Sequence, residues 1–372
     1  MTYWQKGVIM EIFKPGININ FIGKRWIFIS VSICLIVIGL AAIFIRGGLN
    51  PGIDFTGGTL VEIRFTKDVE VVQIRDALRE VGLGKSEIQH VGNKKDVLVK
   101  TILSEAGKIS ERITNALGKK FNKANFEILR VEMVGPAAGE DLRYKAQSAL
   151  IYSIIGMIIY ISYRFQNKVA IPIIVIALLT WVFSTFSWMN LTVLSVLSLV
   201  ASLAVCIWFD LRQAFAGIVA LIHDVTITAG FLAITNREFT LSVLAAILTI
   251  IGFSINDTIV IFDRIRENMA KKRDEDFSTL INTSLNQTLS RTILTSGLTL
   301  LAVISLFIFG GPIIHDFSFA LLVGMIAGTY STVYIASSIL VIWKRLEVSK
   351  NAKRKQIHQV KAKLANAKEQ AR

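Results

Sequence analysis

Cysteine, proline and charged residues are all scarce in this chain, which has 2 Cys and 5 Pro among 372 residues. Cys34 and Cys206 both lie inside apolar runs, so they indicate neither a disulfide framework nor a metal site. Charged residues make up only 18% of the sequence and hydrophobic residues 53%, a balance typical of a membrane protein. The sequence shows no phosphate-binding loop, nucleophile triad or metal-ligand cluster. We therefore expect no catalytic residues, no metal, no cofactor and no enzymatic activity.

The charges that are present are mostly basic and give a formal net charge of +14. Such an excess is common in proteins that bind nucleic acid, but no sequence module of that class is present, so nucleic acid is not an expected partner. Basic residues also concentrate on the cytoplasmic flanks of spanning helices. We interpret the basic tail, residues 344–372, as a solvated cytoplasmic end. Attraction to anionic membrane lipid, about 1 kcal/mol per basic residue, is the functional alternative.

Long apolar runs predict transmembrane helices, because a helix of about 20 residues crosses the hydrocarbon core. The first run, residues 26–45, carries no charge and is too long for the core of a signal peptide, so we expect an uncleaved span. Further runs follow at residues 146–163, 169–186, 191–209, 214–235, 239–262, 292–309 and 317–343. The predicted fold is therefore a membrane α-helical bundle of eight transmembrane helices, with residues 146–343 holding helices 2 to 8.

The positions of the basic residues predict the orientation of the bundle. The N-terminal arm, residues 1–25, is basic and is expected in the cytoplasm. If the spans then alternate in direction, the other basic connections fall on the same side, and both termini are cytoplasmic. These connections contain Arg164, Lys168, Arg212 and the cluster at 264–273.

Residues 46–145 differ from the rest of the chain, because they are charged and contain no run long enough to span a bilayer. Alternating or helical apolar spacing predicts strands at 59–65, 88–91, 97–102 and 126–134, with helices at 69–81 and 106–121. The order β-α-β-β-α-β is that of the ferredoxin-like motif. We expect a small α+β extracytoplasmic domain.

Two apolar stretches resemble each other, one ending at Phe165 and the other at Phe209, and each precedes a short polar turn. Any two apolar helices can look alike by chance. Alternatively, a helical hairpin has been inserted, which would preserve the topology because it adds an even number of crossings.

Several polar residues lie inside the predicted spans, where a carboxylate costs about 2.5–3.5 kcal/mol even on the lenient insertion scale. They are Asn256 and Asp257 in one span, His223 and Asp224 in another, and Arg291 beside a row of threonines at the start of the next. If the helices of Asp257 and Arg291 are neighbours, both charges lie in the cytoplasmic half. A carboxylate near a guanidinium can change its protonation as helices move, which is typical of a proton-driven transporter.

Structural interpretations of the same residues remain open. Asp257 and Arg291 could form a static ion pair that only orders the helices. Arg291 alone could extend to lipid phosphates, and His223 with Asp224 could be a satisfied structural pair. In the last span, small residues recur every four positions, which predicts close packing against a neighbouring helix. This ladder comprises Ala320, Gly324, Gly328, Thr332 and Ala336.

Five motifs together resemble the SecD/SecF family of accessory subunits of the bacterial Sec translocase, in its SecF form. They are GIDFTGGT at 52–59, VGP at 134–136, HD at 223–224, GFSINDTIVIFDRIREN at 252–268 and QTLSRTILTS at 287–296. Family members typically have six spans. In the family, an aromatic-Arg-Phe turn lies between VGP and HD. Phe165 has the family's spacing from VGP, whereas Phe209 has the family's spacing to HD. One turn cannot satisfy both, which favours an inserted hairpin at about 166–209 in a six-helix core.

The resemblance implies a location in the inner (plasma) membrane and a function in protein export. The expected partners are SecD, the SecYEG channel, YidC, YajC, the translocating preprotein, protons and membrane lipid. The family's proton-path positions correspond here to Asp257 and Arg291, and we add Asp224 and Asn256 as candidates. Other motif residues are expected to serve structure or interaction, namely Gly52, Asp54, Gly57, Gly58, Asp263 and Arg264.

Two other functional classes remain as alternatives. SecD and SecF resemble resistance-nodulation-division transporters in their membrane part. A half-size proton-driven efflux transporter of that superfamily would move lipids or small molecules, but the outer domain is small for substrate capture. A scaffold would use the buried charges only to organise its helices.

Overall fold

The computed structural model describes residues 18–91, 93–102, 106–165, 174–175, 177–178, 191–272 and 274–370. Within these residues, six helices are long and apolar enough to cross a membrane. The first, α1 (Arg25–Ile45), coincides with the first predicted span. The predicted span at 169–186 lies largely outside the described residues, so the count of eight spans and the hairpin at 166–209 stay predictions.

The segment after α1 forms an α+β domain whose elements follow the predicted order. Two short elements, β1 (Asn50–Pro51) and α2 (Ile53–Thr56), come first. The main elements are β2 (Gly58–Phe65), α3 (Val71–Arg79), β3 (Glu87–Val91), β4 (Asn93–Thr101), α4 (Ala106–Phe121) and β5 (Phe126–Val134). Each predicted strand and helix is therefore present, with bounds shifted by a few residues where strand pairing extends the apolar pattern.

The domain's sheet is antiparallel, with strand order β3-β4-β2-β5. Alternate residues of β2 and β4 point to one face, as the two-residue period of a strand requires. Ile63 and Val97 are fully buried there against Ile74 of α3 and Ile113 of α4. The opposite face carries Leu60 and Leu98, which pack on Ile53 of α2. The two helices thus cover one face of the sheet only.

The remaining helices form the bundle. They are α5 (Pro136–Phe165), α6 (Leu191–Trp208), α7 (Arg212–Ile234), α8 (Leu241–Lys271), α9 (Phe277–Phe309), α10 (Gly311–Ser331) and α11 (Ser337–Gln370), with the short strand β6 (Glu238–Phe239) before α8. A π-helical turn, Thr332–Ala336, joins α10 to α11 in one continuous span.

Several helices extend well beyond the predicted apolar runs. Helix α5 begins at Pro136, inside the segment predicted as outer domain, because proline suits a first helical position. Helix α9 begins at Phe277, where the Asp276 carboxylate caps it by accepting hydrogen bonds from Ser278 N and Thr279 N at 3.0 and 3.2 Å. Hydrophobicity marks only the part of a helix in hydrocarbon, so polar helix ends escape such a prediction.

The α+β domain is attached to one end of the bundle by backbone pairing and side-chain contacts. Strand β1 pairs with β6 in parallel, Asn50 opposite Glu238. The Glu238 side chain is buried, 3.8 Å from Lys100 Nζ of the domain. Lys100 Nζ also donates a hydrogen bond to Pro51 O at 2.6 Å. The segment between α7 and α8 therefore holds the domain in place.

Helix α1 approaches α7 through two glycines. A Cβ atom on Gly230 would lie 2.6 Å from the Cα of Gly39, closer than atoms in proteins pack. Such backbone contact is typical of membrane helices that associate through small residues.

We expect Gly230→Ala to destabilise the protein, because the added methyl group forces α1 away from α7. Overpacking of this kind costs about 1–3 kcal/mol. The matched control is Gly297→Ala in α9, where a Cβ atom would meet nothing within 4 Å. Thermal unfolding in detergent measures both variants. Equal melting temperatures for the two would contradict the proposed contact.

Burial raises the pKa of Glu238, and the nearby Lys100 ammonium offsets only part of this effect. The neutral carboxyl is therefore favoured when the domain is attached. The contribution of this neutral carboxyl to attachment of the domain is complete below the ordinary glutamate pKa of about 4.3. It is lost as the pH rises through the raised pKa of Glu238. We expect Glu238→Gln, which mimics the neutral form, to remove this pH dependence. Distances between spin labels on the domain and the bundle, measured across pH, test the expectation, with Glu70→Gln as control.

Candidate functional site

Helix α8 places one member of the Asn256–Asp257 pair inside the bundle and the other outside. Asp257 and Thr258 share a helix face with Ser254 because they follow it by three and four residues. These three are 1%, 4% and 1% exposed, whereas Asn256 is exposed. The candidate site therefore contains Asp257, and Asn256 lies on the surface of the bundle.

The hydrogen-bond partner of Asp257 comes from the antiparallel neighbour α9. Ser296 Oγ donates to Asp257 Oδ2 at 2.8 Å. Within the described part of the chain, no Lys or Arg nitrogen lies within the 4.0 Å of an ion pair with this carboxylate. Asp257 is thus a buried acid held by a neutral donor.

Arg291 was expected at the inner end of its helix and close to Asp257. Instead it lies well inside α9, which begins earlier than predicted, and its side chain is exposed. Arg291 still interacts with Asp257 electrostatically at longer range. The structure therefore places both residues on neighbouring helices without a direct ion pair.

A second acid, Asp224 of α7, is completely buried and contacts two other helices. Its Oδ2 atom accepts hydrogen bonds from Ser254 Oγ of α8 at 2.6 Å and from Ser331 Oγ of α10 at 3.0 Å. Its Oδ1 atom lies 2.9 Å from Nδ1 of His223. This cluster, which we call the Asp224 cluster, joins α7, α8 and α10.

The Asp224 cluster continues through His223 to α1. His223 Nε2 lies 2.9 Å from Ser32 Oγ, and Ser32 Oγ donates to the hydroxyl of Tyr330 at 3.2 Å. Tyr330 in turn donates to the backbone oxygen of Phe28 at 2.5 Å. The line of hydrogen bonds from Asp224 to Phe28 therefore crosses from the bundle centre to α1.

The small-residue ladder of α10 makes this proximity of helices possible. A Cβ atom on Gly328 would lie 3.1 Å from Ser254 Cβ and 3.5 Å from Asp224 Oδ2. One on Gly324 would lie 2.2 Å from Ile250 Cδ1. The predicted close packing along the ladder is confirmed at both glycines.

The π-helical turn that follows Ser331 also faces α8. Thr332 Oγ1 lies 3.0 Å from Thr258 Oγ1, and Ser337 Oγ donates to Thr332 O at 3.1 Å. Turns of this type often occur at functional sites. Thr258 adjoins Asp257 in sequence, so this contact brings the π-helical turn against the helix that carries Asp257.

The glycine-rich outer motif is built onto the start of α8. Asp54 Oδ2 accepts a hydrogen bond from Leu241 N at 2.8 Å and so satisfies an unpaired amide of the first helical turn. Gly52 N donates to Phe239 O at 2.9 Å. Gly57 and Gly58 adopt φ angles of 68° and 123°, which favour glycine. The motif therefore connects the α+β domain to the helix that carries Asp257.

Asp263 and Arg264 lie toward the opposite end of α8 and connect it to other helices. Asp263 forms an ion pair with Arg164 of α5 at 2.7 Å. Arg264 Nε donates to Gln287 Oε1 of α9 at 2.7 Å. These residues hold the helices together away from the buried acids.

Sequence reasoning missed Ser296 and Ser331, which contact the buried acids, and Ser32 and Tyr330, which extend the Asp224 cluster through His223. These are common residue types in spanning helices, and nothing in their spacing alone relates them to an acid or a histidine on another helix. Among the residues that the structure describes, no group of three or more His, Cys, Asp or Glu side chains could hold a metal ion.

Comparisons with known proteins match these features to one family. The family model described as "Protein export membrane protein SecD/SecF, C-terminal" matches residues 113–203 and 191–346. The model of the "SecD/SecF GG Motif" matches residues 41–69, which include Gly57 and Gly58. A protein of Calditerrivibrio nitroreducens named protein translocase subunit SecF is 39% identical over 342 residues, covering 91% of this chain and 98% of that protein. A relative of the same name from Pseudomonas aeruginosa is 37% identical, covering 88% and 92%.

Solved structures agree with the sequence relatives. The crystal structure of SecDF from Thermus thermophilus, described as a translocon-associated membrane protein, matches with a TM-score of 0.66 and 33% identity. That match covers 89% of this chain and 39% of the longer SecDF chain. A SecDF crystal structure in a super-membrane-facing form matches with a TM-score of 0.57 and 32% identity, covering 92% and 41%. This chain, a largely helical integral membrane protein, belongs to the SecD/SecF family of protein export membrane proteins.

Proposed function

We propose that this chain acts as the SecF-type subunit of the bacterial preprotein translocase and works with SecD and SecYEG to drive or complete protein export with the proton motive force. Family membership and the translocase names of the relatives support the function in export. The observation that carries the proton-driven mechanism is Asp257, an acid buried in a spanning helix beside a neutral serine donor.

The surroundings of Asp257 suit reversible protonation. A carboxylate charge at this depth is costly, and the single hydroxyl of Ser296 offsets only part of that cost. Protonation removes the charge, so a proton binds while α8 and α9 are packed as in this structure. Movement that admits water or brings Arg291 closer would stabilise the carboxylate and release the proton. Arg291 therefore modulates the site from a distance.

The contacts of α8 couple Asp257 mechanically to the outer domain. Asp54 and the β1–β6 pairing attach the domain directly at the first turn of the same helix. A shift of α8 on protonation of Asp257 would therefore move the domain. Residues 46–145 serve in this proposal as a ferredoxin-like extracytoplasmic domain that contacts the preprotein or the outer part of SecD.

The proposed topology follows the distribution of basic residues. Eight spans lie in the inner membrane, with both termini cytoplasmic and a hairpin at 166–209 added to a six-helix core. Asp224 and Asn256 are lesser members of the proton path. YidC, YajC and anionic lipid complete the proposed surroundings of the complex.

We expect Asp257→Asn to abolish the contribution of the chain to export, because the amide preserves shape and hydrogen bonding but binds no proton. The control is Asp274→Asn, the same chemical change at an exposed position after the same helix. Secretion of a slowly exported preprotein, measured in cells at matched levels of each variant, tests this. Unimpaired secretion with Asp257→Asn would count against the proton mechanism.

Co-purification distinguishes the translocase subunit from a half-size efflux transporter. We expect SecD and SecYEG subunits to be recovered with the tagged chain after mild solubilisation, since the proposed function requires their contact. Recovery of the chain alone, together with loss of drug or lipid export on its deletion, would favour the efflux transporter.

A further inference from the structure

The line of hydrogen bonds between α7 and α1 has one direction when every contact along it is a hydrogen bond. The Tyr330 hydroxyl has a single hydrogen, which it donates to Phe28 O, an atom that can only accept. Ser32 must therefore donate its own hydrogen to the oxygen of Tyr330. With that hydrogen used, the Ser32 oxygen can only accept at its contact with His223.

This direction determines how many hydrogens the His223–Asp224 pair holds. His223 Nε2 must carry a hydrogen, since Ser32 has none left to donate to it. Nδ1 and Asp224 Oδ1, 2.9 Å apart, then share one further hydrogen, which sits on either atom. Both arrangements contain one proton more than a neutral imidazole beside a carboxylate. Both also give the pair a net charge of zero, which suits side chains that are 4% and 0% exposed.

We propose that His223 and Asp224 form a second proton-binding site, and that loss of its proton turns the Ser32 hydroxyl from Tyr330 to His223. Without the proton, the favourable arrangement has a hydrogen on Nδ1 that faces the Asp224 carboxylate. Nε2 then becomes an acceptor, so Ser32 must donate to it and release Tyr330. Proton loss thereby removes a direct bond between α1 and α10.

The described side chains that contact the pair carry hydroxyl groups, so the pair itself is the proton acceptor at this place in the bundle. Within the described residues, α1 contributes Ser32, α8 contributes Ser254, and α10 contributes Tyr330 and Ser331. Further titratable groups on the packed elements include Tyr334 of the π-helical turn, whose ring centroid is 5.3 Å from that of Tyr330, and Asp257 of α8. No Lys or Arg forms an ion pair with Asp224 in this part of the structure.

The His223–Asp224 site differs from Asp257 in the helices that its hydrogen bonds connect. Asp257 is bonded to α9, whereas the Asp224 cluster joins α7, α8 and α10 and extends to α1. The use of this proton in export rests on the proposed function, but its binding does not. Normal secretion with Asp257→Asn would overturn the proposed function and leave the titration described next unchanged.

Nitrogen NMR of the histidine side chains tests the site on the full-length protein in nanodiscs. His223 is one of 4 histidines, so its signals are assigned from a His223→Gln sample. We expect hydrogen on Nε2 at neutral pH, and its transfer to an Nδ1-only form as pH rises. A neutral Nδ1-only imidazole throughout the pH range would overturn the proposal.

Two tyrosine variants test the switch without altering the proton-binding pair. Tyr330→Phe removes the acceptor of Ser32, leaving that hydroxyl free to donate to Nε2 and to stabilise the deprotonated form. We expect its titration midpoint to move toward acid by about half to one pH unit, the size that one hydrogen bond contributes. Tyr334→Phe changes the neighbouring ring and should leave the midpoint in place. Equal midpoints in the two variants would overturn the proposed turn of Ser32.

Discussion

The cost of placing carboxyl groups inside spanning helices is the constraint on which this structure depends. Asp224 and Asp257 are both buried, and neither forms an ion pair with Lys or Arg among the described residues. The donors that face them are mainly serine hydroxyls on neighbouring helices. Hydroxyls stabilise a carboxylate less than a guanidinium does, so a charge on either acid is only partly compensated in this packing. In the proposed mechanism, a small change in helix packing therefore binds or releases a proton.

The packing of the bundle follows from this need for short polar contacts. Gly328 admits α10 to within reach of Ser254 and Asp224, and Gly39 with Gly230 brings α1 against α7. The π-helical turn after Ser331 adds a threonine contact to α8. Outside the bundle, Asp54 satisfies the first turn of α8 and connects it to the α+β domain. Helix α8 therefore carries Asp257, contacts Asp224 through Ser254, and contacts the α+β domain at its first turn.

Sequence patterns predicted the elements far better than the contacts between them. Strands and helices of the outer domain followed from apolar periodicity, and the buried acids from their cost in hydrocarbon. The contact of Asp257 with Ser296 in place of Arg291 did not follow from the sequence, because the apolar run hides the true start of α9 and the Arg291 side chain faces outward. Ser296 and Ser331 could not be found, since a serine is inexpensive in a spanning helix and its partner is set by the rotation of another helix.

The central claim is that preprotein movement and proton movement are coupled through this chain. The most direct measurement uses proteoliposomes that contain the chain with SecD and SecYEG and that translocate a preprotein under an imposed pH gradient. A pH-sensitive dye in the lumen reports proton flux while a preprotein crosses. The account predicts flux that begins with translocation and stops when the preprotein is arrested. Translocation at the full rate with no associated proton flux would contradict it.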